Sequence, residues 1–169
     1  MDFSPNLSPK EIIRLGSFGG TYFYDEEGKI DISYKEFPRD WFDGLEESFY
    51  LSKKYNRKIN FFKIKSGLSQ EEWEEKGWIN KQDPRGWFQW YCRYYMGRRT
   101  DDDERQIKRW NNFCGEKGRW RNYIYSKINK RGTSIDDISF SLAVRQSLLH
   151  WGYMINSGDF DMWKEHNSF

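Results

Sequence analysis

Apolar residues recur at helical spacing through the second half of the chain, and this pattern predicts two helices. The clearest stripe starts at Phe140 and predicts a long amphipathic helix that begins near Ser139. A second stripe predicts a helix over about 119–130. The two stripes consist of Phe140, Val144, Leu148, Trp151 and Ile155, and of Trp120, Ile124 and Ile128. A final turn capped by Ser157 is expected after the long helix.

The stretch 83–100, DPRGWFQWYCRYYMGRRT, contains six aromatic residues and four arginines. Asp83 can cap a helix and Pro84 can occupy its first position, so a helix over 85–96 is predicted before Gly97. Rings cover most of its faces, and a helix that is apolar nearly all round is usually buried. Buried arginine needs an acceptor, so Arg93 is expected to contact a carboxylate or a carbonyl.

Two further helices are predicted from their first residues. The acidic run 101–104 suits the positive end of a helix dipole, and the helix that follows would turn Ile107, Trp110 and Cys114 inward. The capping-box pattern at 69–72 predicts a short helix that ends at Gly77, with its Trp facing the core.

The N-terminal region shows a different pattern. Ser8 and Glu11 form a capping box, with Pro9 between them, and predict a short helix that ends before Gly16. Apolar and polar residues then alternate over 30–34, which with 21–24 and a turn at 25–28 predicts a β-hairpin. The cluster Gly16, Gly19 and Gly20 lacks the spacing of a phosphate-binding loop and precedes a predicted strand, so a flexible turn is expected.

Together these elements predict a mainly α protein: a single compact helical domain over 1–169, with a small N-terminal β-hairpin and an aromatic-rich core. Within it, 8–66 would hold the first helix, the hairpin and connectors, 67–155 the helical core, and 156–169 a C-terminal tail. Composition supports the aromatic core. Hydrophobic residues make up only 37%, but aromatic residues make up 20%, and each ring can bury roughly 150–250 Å².

Charge is distributed unevenly along the chain. The net charge is +2, yet 84–131 holds thirteen Lys or Arg against five Asp or Glu, and the remainder is acidic. Such segregation is typical of a surface that faces a polyanion. The sequence therefore predicts nucleic-acid binding through a basic helical surface formed by Arg85, Arg98, Arg99, Arg105, Lys108, Arg109, Lys117, Arg119 and Arg121. The alternative is that these side chains form a solvated face or pair with the acids at 101–103 and 71–75.

Two other classes of function stay open. An enzyme acting on nucleic acid or on a nucleotide-like substrate would place carboxylates in an aromatic pocket, and the candidates are Asp83, Asp101, Asp102, Asp103 and Glu104. His150 could serve as a base and Cys92 as a nucleophile, although a core histidine and a buried thiol explain them as well. A protein-interaction or self-association module would use exposed Trp, Tyr and Arg side chains as anchors.

The sequence contains no motif for a metal, a nucleotide cofactor or a membrane. Cys92 and Cys114 form no CxxC pair, and buried free thiols in a reducing compartment are expected. No Walker, Rossmann, HExxH or EF-hand pattern occurs, so no cofactor and no metal are predicted. The N-terminus lacks the features of a signal peptide and no run of apolar residues is long enough for a transmembrane helix. An intracellular protein, cytoplasmic or nuclear, is expected.

Several strings carry a resemblance to known sequences. The most specific is 83–93, DPRGWFQWYCR, followed by GRR at 97–99. GGTYF at 19–23, WEEKGWI at 73–79 and DDERQIKRW at 102–110 extend it. The chain resembles, over roughly 8–153, a family of uncharacterised proteins of fungi, plants, protists and large DNA viruses that carry the motif DPRGWFQWYCRYYxGRR. The resemblance implies no activity, cofactor or site residue.

Overall fold

A computed structural model describes residues 2–67 and 70–168, apart from the side chains of Gln70 and Glu71. Helices dominate this part of the chain, as predicted. Seven α-helices occur there: α1 (Pro9–Arg14), α2 (Gln70–Glu75), α3 (Trp87–Tyr95), α4 (Asp103–Cys114), α5 (Arg119–Arg131), α6 (Leu142–His150) and α7 (Ser157–His166). Short 3₁₀ turns at Glu26–Gly28, Tyr34–Glu36, Arg39–Trp41, Glu47–Phe49 and Arg57–Ile59 carry the chain between α1 and α2.

The predicted N-terminal β-hairpin is wrong, since residues 2–67 and 70–168 contain no β-strand. The side chain of Asp25 explains why. Its two carboxylate oxygens accept hydrogen bonds from the backbone N–H groups of Ile30 (2.8 Å) and Ile32 (3.2 Å). These are groups that a hairpin would pair with the opposite strand. The alternating residues 30–34 thus form a loop folded around one carboxylate.

The short first helix is confirmed. Ser8 Oγ accepts from the backbone N–H of Glu11, and the Glu11 carboxylate accepts from the backbone N–H of Ser8, so both halves of the capping box are present. After α1 the chain turns through Gly16–Gly20, and the segment 48–60 packs directly on that turn. Ser52 N–H donates to Gly20 O (2.8 Å) and Asn56 N–H donates to Gly19 O (2.9 Å).

The aromatic helix is buried as predicted, but it begins later. Its first residue is Trp87, preceded by Gly86 at φ 92°, so Pro84 lies outside the helix. Asp83 caps nothing, because its carboxylate is fully buried against arginines. The next helix starts at Asp103, within the predicted acidic run. The predicted helix at 69–77 is confirmed as α2 from Gln70, while Ser69, its predicted cap, lies outside the described residues.

The predicted long C-terminal helix is wrong at both ends. It begins at Leu142 instead of near Ser139, and it ends at His150, because the chain leaves α6 at Trp151 and Gly152 adopts φ 74°. Gly152 O then accepts a hydrogen bond from Leu7 N–H at 3.0 Å, and Asn6 bonds both backbone groups of Met154. The helix after the break is a full ten residues, capped by Asn156 and not by Ser157. The first residues of the chain occupy the gap between α6 and α7.

A continuous cluster of buried rings and aliphatic side chains runs from Leu7 to Phe160. Phe3 is its most connected ring, with centroids of Trp87, Trp90, Tyr91, Tyr94 and Trp110 all within 6.3 Å. Cys92 and Cys114 are buried free thiols, and burial raises the pKa of both, which keeps them protonated. Among the described helices, none is long and apolar enough to cross a lipid bilayer.

Candidate functional site

Arg98 belongs to a buried ion-pair network. Its Nη2 lies 2.6 Å from one oxygen of Asp83, a side chain with no exposed surface, and Arg93 Nη1 lies 2.9 Å from the other. Arg93 also pairs with Glu36, with 2.9 Å between its Nε and Oε1 of the carboxylate. The predicted acceptor for Arg93 is therefore a pair of carboxylates. Because Arg98 is already paired, it is poorly placed to neutralise a phosphate.

The guanidinium of Arg85 is also bound within the protein, in this case by backbone carbonyl groups. It donates to the carbonyl oxygens of Thr21, Tyr22 and Tyr24, each at 3.1 Å. In return, the phenol of Tyr22 donates a hydrogen bond to the backbone oxygen of Arg85 at 3.0 Å. This reciprocal contact joins the turn after α1 to the start of α3, and it places Arg85 at the wall of a large cavity.

Three more of the predicted basic residues lie on or just before α4. Arg105 forms a bidentate pair with Asp102, with contacts of 2.5 and 2.9 Å, which matches the alternative of pairing within the acidic run. Arg99 is exposed and stacks on the Tyr94 ring at 3.7 Å. Lys108 is exposed and has no acidic partner among the described residues.

Three other predicted residues lie around α5. Lys117 and Arg121 line, together with Lys108, a polar cavity of about 680 Å³ next to α7. Arg121 is paired there with Asp159 at 3.3 Å. Arg119 is exposed, with its guanidinium 4.9 Å from the Trp120 ring. The nine predicted residues thus fall into separate groups, and three of them are held by carboxylates.

The most prominent concave feature is a cleft made of two cavities that share Phe18, Tyr22, Gly67, Trp73 and His150. The inner cavity, which we call the aromatic chamber, has a volume of about 400 Å³. Nine described aromatic residues line it: Phe18, Tyr22, Trp73, Trp78, Trp87, Phe88, Phe113, Trp120 and Trp151. Its floor is a run of stacked rings, since Trp151 lies 5.0 Å from Phe113 and 4.9 Å from Trp87.

The outer cavity, which we call the charged chamber, has a volume of about 670 Å³. Its described lining includes the basic residues Lys29, Lys53, Lys65 and Arg85 and the acidic residues Glu26 and Glu74. Lys53 is paired with Glu26 at 3.2 Å. Lys65 lies 5.4 Å from the Tyr55 ring and has no acidic partner among the described residues. The positive charge of Lys65 is therefore available in the charged chamber, next to the aromatic chamber.

Arg109 is the predicted basic residue that lies in the wall of the aromatic chamber. Its Nη1 donates to Gln106 Oε1 at 2.9 Å, and its guanidinium lies 5.4 Å from the Trp151 ring. No carboxylate in the described part of the chain pairs with it. Burial lowers the pKa of Arg109, and the neighbouring Arg105 charge lowers it further. The Asp102 charge offsets part of this effect. A guanidinium remains charged at neutral pH, so Arg109 is a partly buried cation with no carboxylate paired to it among the described residues.

His150 lies where the two chambers meet. Its Nε2 is 2.6 Å from Ser17 O, a distance that requires the proton to reside on Nε2. Gln146 Nε2 donates to the same carbonyl at 3.1 Å. Burial lowers the pKa of His150 from 6.5 to about 4, against the smaller opposing effect of the Ser17 carbonyl. The imidazole is therefore neutral at physiological pH.

This neutral histidine should make stability depend on pH. The lowered pKa means that the unfolded chain binds the proton more tightly, so the stabilisation is present above pH 6.5 and is lost as pH falls toward 4. We expect the free energy of unfolding to fall by about 1–2 kcal/mol between roughly pH 7 and 5 in urea titrations. His150→Phe should lack this component, whereas His166→Phe, at an exposed site, should keep it. Equal pH dependence in His150→Phe and the unmodified protein would contradict the assignment.

The carboxylates predicted for catalysis are used elsewhere. Asp83 binds arginines, Asp102 binds Arg105, and Asp103 accepts from the Trp90 indole at 2.8 Å and caps Thr100 N–H at 2.9 Å. None of the five candidate carboxylates lines the described walls of either chamber.

Sequence reasoning missed most of the cleft. Trp73, Trp120 and Trp151 were visible only as inward residues of separate helices, and Lys65 carried no signal. These side chains come together only through the packing of α2, α4, α5 and α6. Local periodicity predicts each helix but not how the helices pack. The one available signal was the excess of Trp over what a small core can bury, and it does not specify a location.

Comparisons with protein-family models, with curated proteins and with solved structures found no match for this chain. The resemblance carried by the 83–99 motif therefore stays a prediction. The cleft is the feature of the structure that bears on function.

Proposed function

We propose that the protein binds nucleic acid by taking a base into the aromatic chamber while cations at the cleft hold the adjoining phosphates. The observation that carries this proposal is Arg109, a partly buried guanidinium without an anionic partner among the described residues, set in a wall of aromatic rings. An unpaired charge in such a place is costly unless a ligand supplies the counter-charge.

The rings support the base half of the proposal. Aromatic side chains bind unpaired bases by stacking, and each stacked base is worth about 1–3 kcal/mol. Trp151, Phe113 and Trp120 form neighbouring surfaces and are only partly buried by the protein. A chamber of about 400 Å³ is large enough for one base and too narrow for a duplex. Single-stranded nucleic acid is therefore the form that fits.

The cations support the phosphate half. Arg109 offers further N–H donors beyond the one used by Gln106, and Lys65 lines the adjoining charged chamber. Arg119, over Trp120, adds an exposed charge near the rim. This proposal replaces the broad basic helical surface expected from the sequence by the cleft, and Arg109 and Arg119 belong to both.

The test compares two arginines on the same helix. Arg109→Gln and Arg105→Gln each remove one positive charge from α4, but only Arg109 lines the cleft. In fluorescence anisotropy with a labelled single-stranded oligonucleotide of about twelve nucleotides, we expect Arg109→Gln to weaken binding roughly tenfold or more. Arg105→Gln should change it by less than about threefold. Binding should also weaken steeply with added salt.

Equal losses in the two variants would mean that only diffuse charge attracts the oligonucleotide, and the cleft would be excluded as its site. Trp120→Ala gives an independent check, because it removes a stacking surface without changing the charge. It should weaken binding by about 1–3 kcal/mol.

A further inference from the structure

The imidazole of His150 presents one nitrogen that no described residue binds. Nε2 is bonded to Ser17 O, while Nδ1 has no hydrogen-bond partner among the described residues. Because Nε2 carries the proton, Nδ1 holds a free lone pair and can act only as an acceptor.

The surroundings hold the ring in this tautomer. Phe62 N–H donates to Gln146 Oε1 at 3.2 Å, which orients the Gln146 amide so that its nitrogen faces Ser17 O. The Ser17 carbonyl thus accepts from both Gln146 and His150. The Phe18 ring, with its centroid 4.8 Å from that of His150, supports one side of the imidazole.

Nδ1 lies toward Gly67, a residue that lines both chambers. The ring edge that carries it faces Gly67, where a Cβ, if present, would lie 3.8 Å from Nδ1. Gly67 has no side chain to cover that edge, and both residues line both chambers. The acceptor therefore stands at the junction between the ring-lined chamber and the charged one.

Resting on the proposed function, we propose that Nδ1 of His150 accepts a hydrogen bond from the exocyclic amine of the bound base, so that the cleft selects amino-bearing bases such as adenine. A base with hydrogen in place of the amine would give Nδ1 no donor at that position. Sites built around such a bond discriminate strongly against ligands that lack the donor.

The experiment measures competition by two mononucleotides against the labelled oligonucleotide. AMP carries the amine at position 6, and purine riboside 5′-monophosphate carries hydrogen there and is otherwise identical. With the unmodified protein we expect AMP to compete about tenfold more strongly. With His150→Phe, which keeps a ring against Phe18 but has no acceptor, the two should compete equally.

The ratio within the unmodified protein decides the matter even if His150→Phe does not fold. Equal competition by the two mononucleotides, with Arg109→Gln still weakening oligonucleotide binding, would overturn the role of His150 and leave the proposed function standing. If neither mononucleotide competes and Arg109→Gln has no effect, the proposed function fails and this inference fails with it.

Discussion

Asp83→Asn is expected to destabilise the protein by about 3–5 kcal/mol, the usual result of removing one partner from a buried ion pair. The carboxylate of Asp83 has no exposed surface and accepts from Arg93, Arg98 and Gln82. An amide in its place carries no charge, and its NH2 group places donors against one of the two guanidinium groups. Urea denaturation should show a lower midpoint with an unchanged slope.

An exposed ion pair provides the control. Asp40 pairs with Lys10 at 3.1 Å, but its side chain is 65% exposed. Asp40→Asn should therefore cost no more than about 1 kcal/mol. Adding Arg98→Met to Asp83→Asn should restore part of the lost stability, since it removes one of the charges left without an acceptor. If Asp83→Asn costs no more than Asp40→Asn, the network does not hold the fold.

Gly20→Ala is expected to cost about 3 kcal/mol or more, through two separate effects. Gly20 has φ 90°, where a side chain is strained, and a Cβ built there would lie 2.0 Å from the carbonyl oxygen of Ser48. That neighbour is backbone and cannot rotate away. The segment 48–60 would have to leave the turn, with loss of the bond from Ser52 N–H to Gly20 O.

Gly28→Ala separates the two effects. Gly28 has φ 71°, but a Cβ there would meet no atom within 4 Å. The variant should show the conformational cost alone, about 1 kcal/mol. Thermal denaturation of the two variants side by side measures the difference. Similar losses would mean that segment 48–60 yields easily and does not define the turn.

The sequence predicted a helix well where its apolar stripe and its end signals pointed to the same bounds. For α5, the stripe of Trp120, Ile124 and Ile128 and the Gly132 after the last turn placed the bounds within one residue of Arg119–Arg131. The burial of α3 followed from rings on nearly every face. The hairpin failed because alternation at 30–34 also suits a loop whose N–H groups bind the side chain of Asp25.

The candidate site was harder to predict, because partners distant in sequence decide which charges are free. Pairing of Arg105 with Asp102 lies within one helical turn and was foreseeable. Pairing of Arg98 with Asp83 requires the chain to reverse after α3. The sequence therefore shows which basic residues the region 84–131 contains but not which of them are paired. Arg109 differs from Arg105 only in its neighbours in space.

The contacts of the first residues with the segment between α6 and α7 have a consequence for biosynthesis. Asn6 bonds Met154, which is 148 positions away, and Leu7 bonds Gly152. On the ribosome these contacts cannot form until the chain has emerged beyond residue 154. Until then the first residues lack the backbone partners that hold them in place, and the aromatic side chains that α6 covers, such as Phe18, stay exposed on the nascent protein. Exposed apolar surface of this kind favours aggregation and binding by chaperones.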